Sequence, residues 1–208
     1  ESGWQGINYY LEHEEEPVLG FSPDASFPVI HAEKGVLTFK LKATFEKINE
    51  SNNIVINEIK GGNAPNMVPD YCQATIKTDN KIDLQEFVEQ SQYDLEVEEN
   101  KDKLIIKSFG KSAHGSDPAS GYNAISQLLV FLNTMNLADD DISNFINFYH
   151  DKIGMDYNGE GLGCLLKDEI SGELVFNTGM IDLNKTGVEV TINIRYPVTY
   201  NQEDVLSE

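Results

Sequence analysis

Only two cysteines, Cys72 and Cys164, occur in 208 residues, and no CxxC spacing relates them. That excludes a disulfide framework or a zinc knuckle and leaves reduced, buried thiols in a cytoplasmic protein as the expectation. Basic residues are scarce as well: 15 Lys and Arg face 35 Asp and Glu, for a net charge of −20. With no Lys/Arg cluster to neutralise phosphates, neither nucleic acid nor an anionic membrane is an expected partner. No apolar run approaches membrane-spanning length, and no charged–apolar–small pattern opens the chain. The acidic runs Glu14–Glu15–Glu16 and Glu96, Glu98, Glu99 read first as solvated surface. What remains is a globular composition, long enough for one large unit or two small ones.

From Val36 the hydrophobic pattern is strict. Leu37, Phe39, Leu41, Ala43 and Phe45 alternate with Thr38, Lys40, Lys42 and Thr44, the period of a half-buried strand. Ile54 to Lys60 and Tyr71 to Lys77 read as further strands, separated by the Gly/Pro/Asn connection GGNAPNMVPD. A short helix over Ile82 to Gln90 precedes a hairpin whose second strand is LIIKSF. Ala124, Ile125, Leu128, Leu129, Leu132 and Met135 recur at helical spacing, and Asp117 with Pro118 predicts the start of that helix. A second helix is expected from Ile142 to Ile153, opened by Asp139–Asp141 and stopped by Gly154. Glu173 to Asp182 and Gly187 to Tyr196 read as an antiparallel pair joined by NKTG.

Residues 1–35, aromatic, acidic and Pro-rich, read as loop and short strand. The expected fold class is therefore α+β: two similar two-layer units, each an antiparallel sheet with helices on one face, over residues 36–136 and 137–208. The second unit reads as incomplete. ESGWQG opens without an initiator Met, and TYNQEDVLSE resembles a helix start without its body, so the chain is expected to be a piece of a longer protein.

Two residues carry chemistry. His114, in GKSAHGSDP, lies between small residues and just ahead of the expected helix start, where free N–H groups and the helix dipole favour an anion. A neutral imidazole there can donate a hydrogen bond to a polarised carbonyl or a developing oxyanion; otherwise it is a loop histidine bonded to backbone. Arg195 falls on the strand face opposite Val188, Val190, Ile192 and Ile194, either as a surface arginine or as a bidentate clamp for a carboxylate. His13, His31 and His150 read as structural or surface residues.

ESGW, GFSPDASFPVIHAEKG, GGNAPNMVPD, GKSAHGSDPASGYNA and NIRYPV occur in that order along the chain. Together they resemble the zinc-dependent metallopeptidases of the aminoacylase and carboxypeptidase superfamily, more narrowly the PepV-like (Xaa-His) bacterial dipeptidases. The resemblance implies a lid domain of two similar halves inserted into a two-zinc catalytic domain. It implies that Glu1 and Asp24 are metal ligands and that His114 reaches the scissile carbonyl to stabilise the oxyanion. It implies further that Asn66 contacts a dipeptide or short-peptide substrate while Arg195 holds its C-terminal carboxylate. The family's upstream His and Asp ligands, its general base and its downstream His ligand have no counterpart here, so the expectation is a lid with a strip of catalytic domain, inactive alone and poor at retaining zinc. The rival expectations are an amidohydrolase of N-acyl amino acids and a non-catalytic interaction module whose sheet edges support a homodimer.

Overall fold

The computed structural model describes residues 5–20, 30–50, 54–78, 81–100 and 103–207. The chain divides into two compact units, Glu1–His31 and Ala32–Glu208. In the first, α1 (Gln5–His13) is a regular helix where loop and short strand were expected. No Gly or Pro interrupts INYYLEH, and Tyr9 stacks on His13 one turn later, with ring centroids 4.1 Å apart.

The second unit holds β1 (Gly35–Thr44), β2 (Ile54–Gly61), β3 (Met67–Val68), β4 (Tyr71–Thr78), α2 (Lys81–Glu89), β5 (Leu95–Asn100) and β6 (Lys103–Phe109). It continues with β7 (Ala113–His114), α3 (Ala124–Asn133), α4 (Asp141–Lys152), β8 (Lys167–Asp168), β9 (Gly172–Glu173), β10 (Val175–Asn184), β11 (Gly187–Tyr196) and α5 (Gln202–Leu206). One antiparallel sheet runs in the order β1-β11-β10-β2-β4-β6-β5. β10 and β11, from the half expected at 137–208, enter between β1 and β2, so the two halves share a single sheet. The class is α+β as expected. No helix among the described residues is long and apolar enough to cross a membrane.

Two adjacent cross-strand rows show why this sheet needs one covered face. Leu41, Val190, Ile181, Gly61, Cys72, Ser108 and Leu95 stand in register across all seven strands, and so do Lys42, Glu189, Asp182, Lys60, Gln73, Lys107 and Glu96. The first row is largely apolar and the second entirely polar, as the period of two requires. Helices cover the first. α3 buries eight of its ten residues, among them Leu128 and Leu129 at 0% exposure. A Leu so buried contributes about 1.5–3 kcal/mol over leaving it in water. The polar row faces solvent, where Glu189 pairs with both Lys40 (2.5 Å) and Lys42 (2.7 Å).

Several polar groups inside the core are paired. Gln127 accepts from Asp94 N and donates to Ser108 Oγ (2.7 Å), while Tyr149 OH donates to Thr178 Oγ1 (2.9 Å) and meets Ser126 Oγ. Burial pushes the Tyr149 hydroxyl up to about 12 and the Cys72 thiol well above its ordinary range, so both stay protonated and unreactive. α4 begins at a capping box between Asp140 and Ser143, and Gly154 (φ 55°) closes its end, as expected. The hairpin turn at NKTG is held by Asn184 Oδ1, which accepts from Thr186 N and Oγ1.

Two stability predictions follow from this packing. Leu128→Ala should cost about 2–5 kcal/mol in urea unfolding, because the site is enclosed and cannot collapse, whereas Lys42→Ala should shift the midpoint little. Asp141 is the pH probe: its carboxylate accepts from Lys47 N (2.8 Å) and Glu46 N (2.7 Å), and those bonds hold its pKa below the usual carboxylate range. A depressed folded-state pKa gives stability that is present above the unfolded value and lost as pH falls through the folded one. Asp141→Asn should therefore lower the urea midpoint at pH 7, and the gap from the wild type should close below about pH 4. A gap unchanged at low pH would show that the carboxylate charge contributes nothing.

Candidate functional site

Two connections meet on the sheet. GGNAPNMVPD leaves β2, and GKSAHGSDPASGYNA links β6 to α3. Their backbones are stitched together: Met67 pairs with His114 and Val68 with Ala113, while Gly115 N donates to Asn66 O (2.7 Å). Gly110 N donates to Asp70 O and Ala124 N to Pro69 O, each at 2.9 Å. Gly115 is small because of Asn66: a Cβ there would stand 2.9 Å from the Asn66 carbonyl oxygen. The stitching brings together Asn66 and His114, both exposed and far apart in sequence.

The helix does not begin at Pro118. Residues Pro118–Ser120 make a single 3-10 turn in which Asp117 caps nothing, and Tyr122 then forms an extended bridge with Lys111. α3 starts at Ala124, capped by Asn123, whose Oδ1 accepts from Ile125 N and Ser126 N. Asn123 wins because the preceding residues are committed to the bridge, which no helix can include. The expected helix start just after His114 is thereby corrected: the helix begins ten residues further along the chain, at Ala124.

His114 is instead oriented by Ser116. Its Nδ1 lies 2.7 Å from Ser116 Oγ and 3.3 Å from Ser116 N. A backbone N–H can only donate, so Nδ1 accepts and the proton of the neutral ring sits on Nε2. The exposed imidazole thus presents an N–H donor.

Arg195 is the chain's only arginine. It is half-buried on the open sheet face, and its Nε donates to Asn193 Oδ1 (3.3 Å), while Asn193 Nδ2 donates to Thr38 Oγ1 (2.8 Å). Among the described residues no carboxylate pairs with it, although the chain is strongly acidic and its lysines form many ion pairs. A guanidinium fork left in that state is ready for an external carboxylate.

Asn177 links the two parts. Asn193 is its register partner on β11, and its Nδ2 donates to Pro65 O and Met67 O, both at 2.9 Å. Although on the open face, it is only 1% exposed because the Pro65–Met67 turn lies against it. The register break at Gly179 admits that turn, since a Cβ there would stand 2.4 Å from Pro65 O. Asn177 Oδ1 has no partner among the described residues, a state that costs about 1–3 kcal/mol. The sequence signal was available: a lone Asn before Gly in the apolar strand LVFNTGMI, at odds with strand preference.

A cavity of about 270 Å³ adjoins these loops, lined by Val68, Tyr122, Asn123, Phe176, Asn177 and Thr178 among others. A roomier one of about 450 Å³, between β1 and α4, contains none of the expected site residues. No three His, Cys, Asp or Glu side chains among the described residues could hold a metal ion together. The expected ligands Glu1 and Asp24 lie outside the described residues.

No family model matches the chain. It is similar to curated bacterial proteins over nearly its whole length. It is 34% identical over 214 residues to a "Putative dipeptidase" of Staphylococcus haemolyticus and 35% identical over 204 residues to "Putative dipeptidase YtjP" of Bacillus subtilis. It is 33% identical over 202 residues to "Beta-Ala-Xaa dipeptidase" of Lactobacillus delbrueckii subsp. lactis. These alignments take in 99%, 96% and 95% of this chain but 45%, 44% and 42% of the relatives. The chain therefore matches, almost end to end, less than half the length of proteins that carry the name dipeptidase.

Proposed function

We propose that this chain is the lid-bearing part of a dipeptidase that hydrolyses short peptides. The observation that supports this most directly is the stitching of residues 66–68 to 113–115, which sets Asn66 beside a histidine whose Nε2–H faces outward. Attack on a peptide carbonyl puts negative charge on its oxygen, and a preorganised N–H donor lowers the energy of that state more than of the substrate. His114 is that donor in this reading, and Asn66 contacts the substrate beside it. Arg195 takes the C-terminal carboxylate, which selects short peptides by requiring a free terminus near the scissile bond.

Zinc belongs to the proposal as the motif resemblance implies it, with Glu1 and Asp24 as the ligands this chain would contribute. The described residues form no metal site by themselves. Their part is to hold the substrate and meet the charge on its carbonyl oxygen.

In the full-length enzyme, His114→Ala should lower kcat by about two to three orders of magnitude, the usual loss for one oxyanion donor, with metal content and melting temperature near wild type. Near-normal kcat would return His114 to an ordinary loop residue, and a large fall in melting temperature would make it structural. Arg195→Lys should raise KM about tenfold or more for free dipeptides and leave C-terminally amidated ones unaffected, because the bidentate bond is lost only where a carboxylate is present. Equal effects on both substrates would sink the clamp. This chain by itself, dialysed against zinc, should retain well under one ion per molecule, since two carboxylates cannot close a site; stoichiometric tight binding would contradict that.

A further inference from the structure

We propose that Asn177 is a positioning residue for this reaction, a reading that rests on the roles given above to His114 and Asn66. At 1% exposure it offers almost no surface to a substrate, and its hydrogen bonds go to its neighbours. Both hydrogens of its amide are spent on the carbonyls that flank Asn66, those of Pro65 and Met67. The Pro65 carbonyl belongs to the peptide unit that enters Asn66 and the Met67 carbonyl to the one that leaves Met67, so the clamp limits the torsions of Asn66 and Met67 together. The same clamp reaches His114, because Met67 is its ladder partner and Asn66 O accepts from Gly115 N.

The amide has one usable orientation. Turned over, it would set Oδ1 against two carbonyl oxygens. As placed, Oδ1 has no partner among the described residues. On its other side stands Asn193, which orients Arg195. Asn177 therefore lies between the groups that meet the carbonyl oxygen and the group that meets the carboxylate, and holds the first set in place relative to the second.

The test uses the full-length enzyme with Asn177→Leu, which matches the volume and removes both donors, and with Asn177→Ala as the second variant. Asn177→Leu should lower kcat by about 10- to 100-fold, the scale of a small misplacement of catalytic groups, with KM within about threefold of wild type because Arg195 stays in place. Placed on the His114→Ala background, the same change should cost several-fold less than it does in the wild type, because one of the two groups it positions is already gone. Normal kcat in Asn177→Leu overturns the proposal, as does a full additive loss on the His114→Ala background. If neither variant folds, Asn177 is structural and the proposal falls. A His114→Ala enzyme with normal activity would remove the underlying function and this inference together, whereas an additive cycle removes this inference alone.

Discussion

One amide, that of Asn123, ties the start of α3 to both the sheet and the connection before it. Its oxygen caps the helix at Ile125 N and Ser126 N, and its Nδ2 donates to Thr178 O on β10 at 2.8 Å. The next residue, Ala124, gives its N–H to Pro69 O. The helix that covers the apolar face thus starts where β10 and both motif connections converge. Loss of a cap alone costs about 1 kcal/mol, but here the same side chain also sets the helix's height over the sheet. The position of Asn66 beside His114 depends on that placement, because both connections are anchored at its foot.

The sheet is two-faced to an unusual degree of regularity. A row of seven residues on one face is almost wholly apolar and the next is wholly charged or amide. A one-residue slip in any strand would exchange the two, so the register is set by burial and not only by turns. The open face is covered at Asn177, where the Pro65–Met67 turn lies against it. There a half-buried cation and paired amides replace the lysine–carboxylate pairs of the rest of the face. Arg195 next to Asn193 is the result.

Much of the fold was legible in the chain. Strict alternation from Val36, the LIIKSF hairpin and the NKTG turn identified strands, and the stripes in α3 and α4 identified helices, because local periodicity reports directly on burial. The start of α3 was misplaced from Asp117 and Pro118, which are favourable local starters. They lost to a backbone bridge between Lys111 and Tyr122, a contact that no window of sequence contains. The short helix at Gln5–His13 was missed because aromatic and acidic residues obscure its stripe.

His114, Asn66 and Arg195 were each singled out by motif, and the residue types alone say what they can do: donate to an oxygen, touch a substrate, or grip a carboxylate. Sequence could not say how they are connected, since the links are backbone ladders and cross-strand neighbours spread from Asn66 to Arg195. It marks Asn177 as a polar residue in an apolar strand but not what that residue meets, a pair of carbonyls more than a hundred positions away. Composition and periodicity determine which face of each element is buried, because that depends on the free energy of each side chain in water. Which polar groups then meet depends on strand order and register, and those are decided only when the whole sheet closes.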